Sequence, residues 1–146
     1  MLRVLKAFFF AVLLTYALAS VMATLSVLGN LQSMGVDVSV AVALRTAIHD
    51  MVGLSSSYLV LILLALALGL PVAAGLSKVM PSCRLVLFVL AGFTAIVALH
   101  VIVKAIFGLS AIAATRTMSG LIIQGAAGAV GGYVYYRFSR PIVGKL

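Results

Sequence analysis

The chain has 146 residues, of which 65% are hydrophobic and only 8% are charged, and its net charge is +8. A water-soluble domain of this length needs many more charged side chains on its surface, so these values exclude a soluble globular protein and predict an integral membrane protein. No nucleic-acid partner is expected, because the basic residues stand singly at the ends of apolar segments and form no patch with interleaved aromatics. The single cysteine, Cys83, cannot form an intramolecular disulfide.

Four apolar segments are long enough to cross a bilayer as helices, at residues 6–28, 54–77, 85–107 and 119–136. A hydrocarbon core of about 30 Å is crossed by about 20 helical residues. The first segment has the basic start and small residues of a signal peptide, but its apolar run continues through Val27, so we interpret it as a retained helix. The sequence therefore predicts an all-α membrane protein, with residues 1–146 forming a single compact bundle of four transmembrane helices.

The basic residues predict how these helices are oriented. With the N-terminus inside, seven of the ten basic residues lie on the inner side and three on the outer side, and such a bias is typical of the cytoplasmic face. The inner residues are Arg3, Lys6, Lys78, Arg84, Arg137, Arg140 and Lys145, and the outer ones are Arg45, Lys104 and Arg116. We therefore expect a multi-pass protein of a bacterial-type inner (plasma) membrane, with both termini in the cytoplasm.

The first external connection, residues 30–50, contains both acidic residues of the chain, Asp37 and Asp50. From about Ser39 onward it is apolar enough to form a short helix. We expect this helix to lie in the outer interface or to extend the second transmembrane helix outward.

Packing signals occur in the second and fourth apolar segments. Pro71 interrupts the second segment and lacks the N–H for a helical hydrogen bond, so a kink is predicted there. In the fourth segment one face repeats at spacing four, through Gly120, Gln124, Gly128 and Gly132. Small residues at this spacing let another helix approach closely, either within the bundle or in another chain. Gln124 can donate and accept hydrogen bonds across that contact.

Two ionisable residues, His100 and Lys104, share one face of the third segment near its outer end. Lys104 lies roughly one turn from that end, so its long side chain can reach the headgroups as an interfacial anchor. His100 lies roughly two turns deep, where a neutral imidazole needs a hydrogen-bond partner inside the bundle. The candidate partners are Asp50, Gln124 and Ser20.

Polar residues are concentrated in the outer halves of the apolar segments. Tyr16, Ser20 and Thr24 recur at spacing four in the first segment, whereas its inner half is apolar. This distribution predicts a polar recess that is open to the outer side and closed below by apolar packing. The predicted binding residues are Arg45, His49, Asp50, His100, Lys104, Arg116 and Gln124.

Motifs of catalysis are missing from the sequence, which has no GxSxG, HExxH, Walker or CxxC pattern. Its two carboxylates are too few for the acidic clusters of membrane proteases or transferases. We therefore expect no enzymatic activity, no catalytic residue, no cofactor and no metal site.

Function is expected to lie in assembly with other molecules. We predict a small accessory or assembly subunit of a larger membrane complex, with the lipid bilayer and either other membrane proteins or further copies of the chain as partners. One alternative is a small oligomeric transporter or channel, with a pore between protomers for an anionic substrate. Another is a b-type haem subunit, with His49 and His100 as axial ligands and Arg45 and Arg116 near the propionates.

Overall fold

The computed structural model describes residues 2–35, 37–108, 115 and 117–139, and all its regular elements are helices. The α-helices are α1 (Leu2–Ser33), α2 (Val40–Gly53), α3 (Tyr58–Val79), α4 (Arg84–Phe107) and α5 (Met118–Ser139). A short 3₁₀ turn, Pro81–Cys83, joins α3 to α4. The predicted all-α class is confirmed over the described residues.

Three helices of the described residues are long and apolar enough to cross a membrane, namely Leu2–Ser33, Tyr58–Val79 and Pro81–Ile106. Membrane association and lipid contact of the chain follow from these three helices. The fourth predicted span, which corresponds to α5, is not among them. α5 has the same length as α3, 22 residues, but it contains five glycines and Gln124, which lower its hydropathy.

The helix in the first connection is α2, and it is separate from α3. Its N-terminus is capped by Ser39, whose side chain accepts a hydrogen bond from the backbone N–H of Val42 at 3.3 Å. A turn at residues 54–57 divides α2 from α3, and α2 packs against α1. Of the two arrangements expected for this segment, the outward extension of the second long helix is therefore wrong.

The four long helices pack in a closed antiparallel arrangement, in which α1 and α4 each contact both α3 and α5. Tyr16 of α1 lies beside Tyr58 at the start of α3, with ring centroids 6.2 Å apart. Phe10, near the start of α1, stacks on Phe138 near the end of α5, with centroids 6.1 Å apart. The first turns of α1 and the last turns of α5 therefore lie at the same end of the molecule.

Glycines bring α4 and α5 into backbone contact. A Cβ atom added at Gly92 of α4 would collide with the carbonyl oxygen of Gly128 in α5, and one added at Gly128 would collide with the carbonyl oxygen of Gly92. One turn further along α5, Gly132 faces the carbonyl group of Phe88 in the same way, and Gly120 is also buried. The glycine face of α5 thus packs within this chain, where the absence of side chains permits the close approach.

The other side of α5 contacts small residues of α1. Ala11, Thr15 and Ala19 recur at spacing four on α1, and each has an exposed fraction of 0%. Gly131 of α5 faces the Thr15 hydroxyl group, and the Gln124 side chain donates to the carbonyl oxygen of Ala19 at 3.0 Å. α5 is therefore held between α1 and α4.

Pro71 lies in the interior of α3, which runs without interruption from Tyr58 to Val79. Its side chain is exposed and lines a surface depression together with Leu5 and Phe8 of α1. The kink expected at Pro71 stays a prediction.

The interior of the bundle has an apolar part and a polar part. Ile62, Leu66 and Ile96 are completely buried, and Leu70 and Phe88 continue this apolar filling toward the end at which α1 begins. Ser20, Thr24, His100 and Gln124 are buried polar side chains toward the opposite end, where α3 begins and α4 ends. The division matches the polar and apolar halves of the sequence segments.

Candidate functional site

Three polar side chains from three helices meet at the end of the bundle where α3 begins. Tyr58 is the first residue of α3, His100 lies two turns before the end of α4, and Gln124 lies two turns into α5. Their exposed fractions are only 4%, 5% and 0%. Because neighbouring helices run antiparallel, the start of α3, the end of α4 and the start of α5 coincide in depth. We refer to Tyr58, His100 and Gln124 as the polar cluster.

Tyr58 is the centre of the polar cluster. Its hydroxyl group donates to Oε1 of Gln124 at 3.0 Å and lies 3.3 Å from Nε2 of His100. The other imidazole nitrogen, Nδ1, lies 2.8 Å from the carbonyl oxygen of Ile96. Gln124 in turn donates to the carbonyl oxygen of Ala19 at 3.0 Å. An unbroken chain of polar contacts therefore runs from α4 through α3 and α5 to α1.

Ring contacts join the aromatic members of the polar cluster to Tyr16. The rings of Tyr58 and His100 meet edge to face, with centroids 5.8 Å apart and an interplanar angle of 67°. The ring of Tyr16 also contacts that of Tyr58, and its hydroxyl group donates to the carbonyl oxygen of Met51 in α2. This second hydrogen bond attaches α2 to the long helices just beside the polar cluster.

A cavity of about 230 Å³ lies beside the buried imidazole. It is lined by His100, Val101, Lys104, Thr115, Thr117, Met118 and Leu121. Lys104 and Thr117 are exposed whereas His100 is buried, so the cavity connects the polar cluster with the surface. Four of its lining residues are polar, namely His100, Lys104, Thr115 and Thr117, and the Thr117 hydroxyl group accepts a hydrogen bond from the backbone N–H of Gly120.

The partner of His100 is none of the three residues proposed from the sequence. Tyr58 occupies that position, and Gln124 is one hydrogen bond further along the chain of contacts. Asp50 instead accepts a hydrogen bond of 2.8 Å from a threonine of α1. The hydroxyl group of Ser20 is buried and has no hydrogen-bond partner among the described residues. The long phenol side chain of Tyr58 reaches across from α3, which shorter side chains of α1 and α2 do not.

The residues predicted to line one polar recess are divided in the structure. Arg45 and His49 are exposed side chains of α2, a helix that packs against α1, and neither lines the cavity. Asp50, also in α2, is half-buried and accepts its hydrogen bond from Thr24. Arg116 lies outside the described residues. Of the six predicted binding residues that the structure describes, the cavity and the polar cluster together thus contain three, His100, Lys104 and Gln124.

Haem ligation by the two histidines does not fit this geometry. Both ring nitrogens of His100 already face partners, Nδ1 the carbonyl oxygen of Ile96 and Nε2 the hydroxyl of Tyr58. His49 is exposed on α2, whose packing is against α1. Within the described part of the chain, no three side chains of the His, Cys, Asp or Glu types are grouped as a metal ion requires.

Tyr58 and Gly92 are not among the residues predicted from the sequence. Tyr58 follows three serines, residues 55–57, and such a position is typical of an interfacial residue at the end of a span. One signal was available, because Tyr58 is the sole aromatic residue of α3. Gly92 is the only glycine of α4, so no repeated spacing marked it as a packing position.

Replacing His100 with leucine is expected to lower the stability of the protein by about 1 kcal/mol, because it removes one buried hydrogen bond between two helices. Replacing Lys104 with arginine is expected to change it by less than about 0.5 kcal/mol, because this side chain is exposed and arginine also reaches the headgroups. Thermal unfolding in detergent measures both effects. A larger loss for Lys104→Arg than for His100→Leu would contradict the assigned roles.

No protein-family model, curated protein or solved structure matches the chain.

Proposed function

We propose that this chain is a non-enzymatic, multi-pass membrane protein in which α1, α3, α4 and α5 all cross the bilayer. The packing of α5 supports a fourth span. α5 lies along α1 from the Gln124–Ala19 hydrogen bond to the stacked rings of Phe138 and Phe10. A helix packed along an apolar, membrane-length neighbour lies at the same depth in the bilayer. Its glycines and Gln124 face inward, where lipid does not meet them.

The proposed topology has both termini in the cytoplasm and the polar cluster near the outer surface of a bacterial-type inner membrane. The excess of basic residues at the inner ends of the spans supports it. The antiparallel order of the four long helices agrees with termini on one side.

Cysteine labelling is expected to report this topology directly. The native Cys83, in the turn between α3 and α4, should react with a membrane-impermeant maleimide only after the cells are permeabilised. A Met34→Cys variant in a Cys83→Ser background should react in intact cells, because Met34 is 69% exposed in the connection between α1 and α2. Labelling of Cys83 in intact cells would contradict the proposed orientation.

The proposed activity is assembly with other membrane proteins as an accessory subunit. The observation that carries this proposal is the filled interior of the bundle. Ile62, Leu66 and Ile96 close the space below the polar cluster, and the polar side chains there bond to one another. A single chain therefore encloses no polar route between the described helices, and its outer surface is what remains available for interaction.

An apolar groove of about 490 Å³ between α3 and α4 is the part of that surface best suited to a partner. Small residues line it, among them Ala65, Gly69, Ala91, Ala95 and Ala98. Small side chains allow the backbone of another membrane helix to approach closely. We assign a membrane-spanning helix of another protein to this groove.

Native purification tests the assembly proposal. The protein, expressed at its natural level and extracted in a mild detergent, is expected to elute in a complex whose intact mass includes other membrane proteins. An Ala98→Trp variant, which fills the groove, should release these proteins, whereas Ala105→Trp on an exposed part of α4 outside the groove should retain them. A monomer, or a complex unaffected by Ala98→Trp, would contradict the assigned surface.

A second candidate function is transport of a small anion by a homo-oligomer, with a pore between protomers. The observation that favours it is the cavity that is lined by Lys104 and His100 together with two threonines. The same mass measurement separates the two candidates, because transport requires a complex made only of copies of this chain. Anion flux into liposomes containing the purified protein would then be expected, and it should fall in a Lys104→Gln variant.

A further inference from the structure

The polar cluster contains fewer protons than its contacts require when its histidine is neutral. Four contacts form a continuous hydrogen-bond series. They join Ile96 to His100, His100 to Tyr58, Tyr58 to Gln124, and Gln124 to Ala19. Both ends of this series are backbone carbonyl oxygens, which only accept hydrogen bonds. Each contact therefore needs one proton between its two heavy atoms, and the whole series needs four protons.

A neutral histidine leaves one of these contacts without a proton. The neutral imidazole supplies one N–H, the tyrosine supplies one O–H, and the Gln124 amide supplies an N–H to one of its two contacts. Exchanging the positions of Oε1 and Nε2 of Gln124 does not supply the missing proton. The amide oxygen would then face the carbonyl oxygen of Ala19, and that contact would lack a proton. The longest of the four contacts is the 3.3 Å between the Tyr58 hydroxyl and Nε2 of His100. The single proton of this hydroxyl has two possible acceptors, Nε2 of His100 and Oε1 of Gln124. One added proton on His100 satisfies all four contacts.

We propose that His100, Tyr58 and Gln124 form a reversible proton-binding site, in which the bound proton on His100 completes a hydrogen-bonded link through α4, α3, α5 and α1. The site combines a buried imidazole with the adjacent cavity, whose other lining groups include the exposed Lys104 and Thr117. The cavity gives water a route to the imidazole edge. Protonation then tightens the contact between α3 and α4 at one end of the bundle.

The charged and titratable groups around His100 identify hydrogen bonding as the origin of proton binding. Tyr58 of α3 contacts the imidazole, and Tyr16 of α1 contacts Tyr58. Gln124, from α5, carries no charge. Lys104 lies one turn along α4, where its positive charge opposes protonation. Neither carboxylate of the chain bonds to the imidazole, since Asp50 is held by α1 and Asp37 precedes α2.

The number of protons that these contacts need predicts how two substitutions change proton binding by His100. In Gln124→Met two of the four contacts disappear, and a neutral His100 with Tyr58 then satisfies the two that remain. In Tyr58→Phe the Nε2 atom of His100 loses its partner, so a proton placed there is unpaired. Proton affinity is therefore expected to fall at least tenfold in each variant, which lowers the titration midpoint by about one pH unit or more. Gln32→Met, the matched exchange on the exposed end of α1, should leave it unchanged.

Nitrogen NMR of the full-length protein in lipid bicelles tests the proposal, with the proton itself as the probe. A His49→Asn background leaves His100 as the one histidine of the chain, and its imidazole ¹⁵N shifts are followed from about pH 8 to about pH 4. The bare ring nitrogen is expected to take up one proton in a single step, after which both ring nitrogens carry a proton, while the glycine amide spectrum remains that of the folded protein. An imidazole that stays neutral throughout in the folded parent would overturn the proposal without reference to any variant. A midpoint that is identical in the parent and in a folded Gln124→Met or Tyr58→Phe variant would also overturn it.

Discussion

Replacing Gly128 with leucine is expected to prevent α4 and α5 from packing, and to lower the stability of the protein by about 3 kcal/mol or more, at the upper end of overpacking effects. The reason is that the added side chain meets backbone, which cannot rotate away. A Cβ atom at Gly128 already collides with the carbonyl oxygen of Gly92 and with a side-chain carbon of Ile96. We expect little or no folded monomer by size-exclusion chromatography and a strongly lowered midpoint of thermal unfolding.

Gly75 supplies the matched control, because a Cβ atom added there in α3 meets no atom within 4 Å. Gly75→Leu is expected to unfold at or above the temperature of the parent, since leucine favours the helix over glycine. If Gly128→Leu and Gly75→Leu behaved alike, α4 and α5 would not meet through their glycine backbones.

Replacing Tyr58 with phenylalanine is expected to lower the stability by about 1 to 2 kcal/mol, although only one oxygen atom is removed. That oxygen serves two buried neighbours, Oε1 of Gln124 and Nε2 of His100. Without it Oε1 of Gln124 loses its donor and Nε2 of His100 loses its contact, and these two side chains are 0% and 5% exposed. The loss should appear as a lower midpoint in thermal or denaturant unfolding of the protein in detergent.

Tyr133→Phe removes the same atom from α5 at a position that is 46% exposed. This variant is expected to unfold within about 0.5 kcal/mol of the parent, as surface substitutions usually do. Equal losses for Tyr58→Phe and Tyr133→Phe would mean that the polar cluster does not stabilise the bundle.

The sequence alone determined the class of this protein, the positions of its helices and the location of its polar side chains along them. Hydropathy and residue spacing are local properties, so they indicate where an apolar helix runs and which residues share a face. The helix in the first connection, the glycine face of α5 and the polar outer halves of the segments were all recognised in this way. The hydropathy of α5 is lower than that of the other long helices, because its glycines and Gln124 are directed at protein rather than lipid.

Only the tertiary structure decided which residues meet. A face is defined within one helix, whereas a contact depends on the order and rotation of helices around the bundle, to which distant parts of the chain contribute. This is why the single Gly92 became the partner of Gly128, and why Tyr58 rather than Asp50 reached His100. It is also why α2, packed on α1, holds its basic residues apart from the cavity that Lys104 and His100 share.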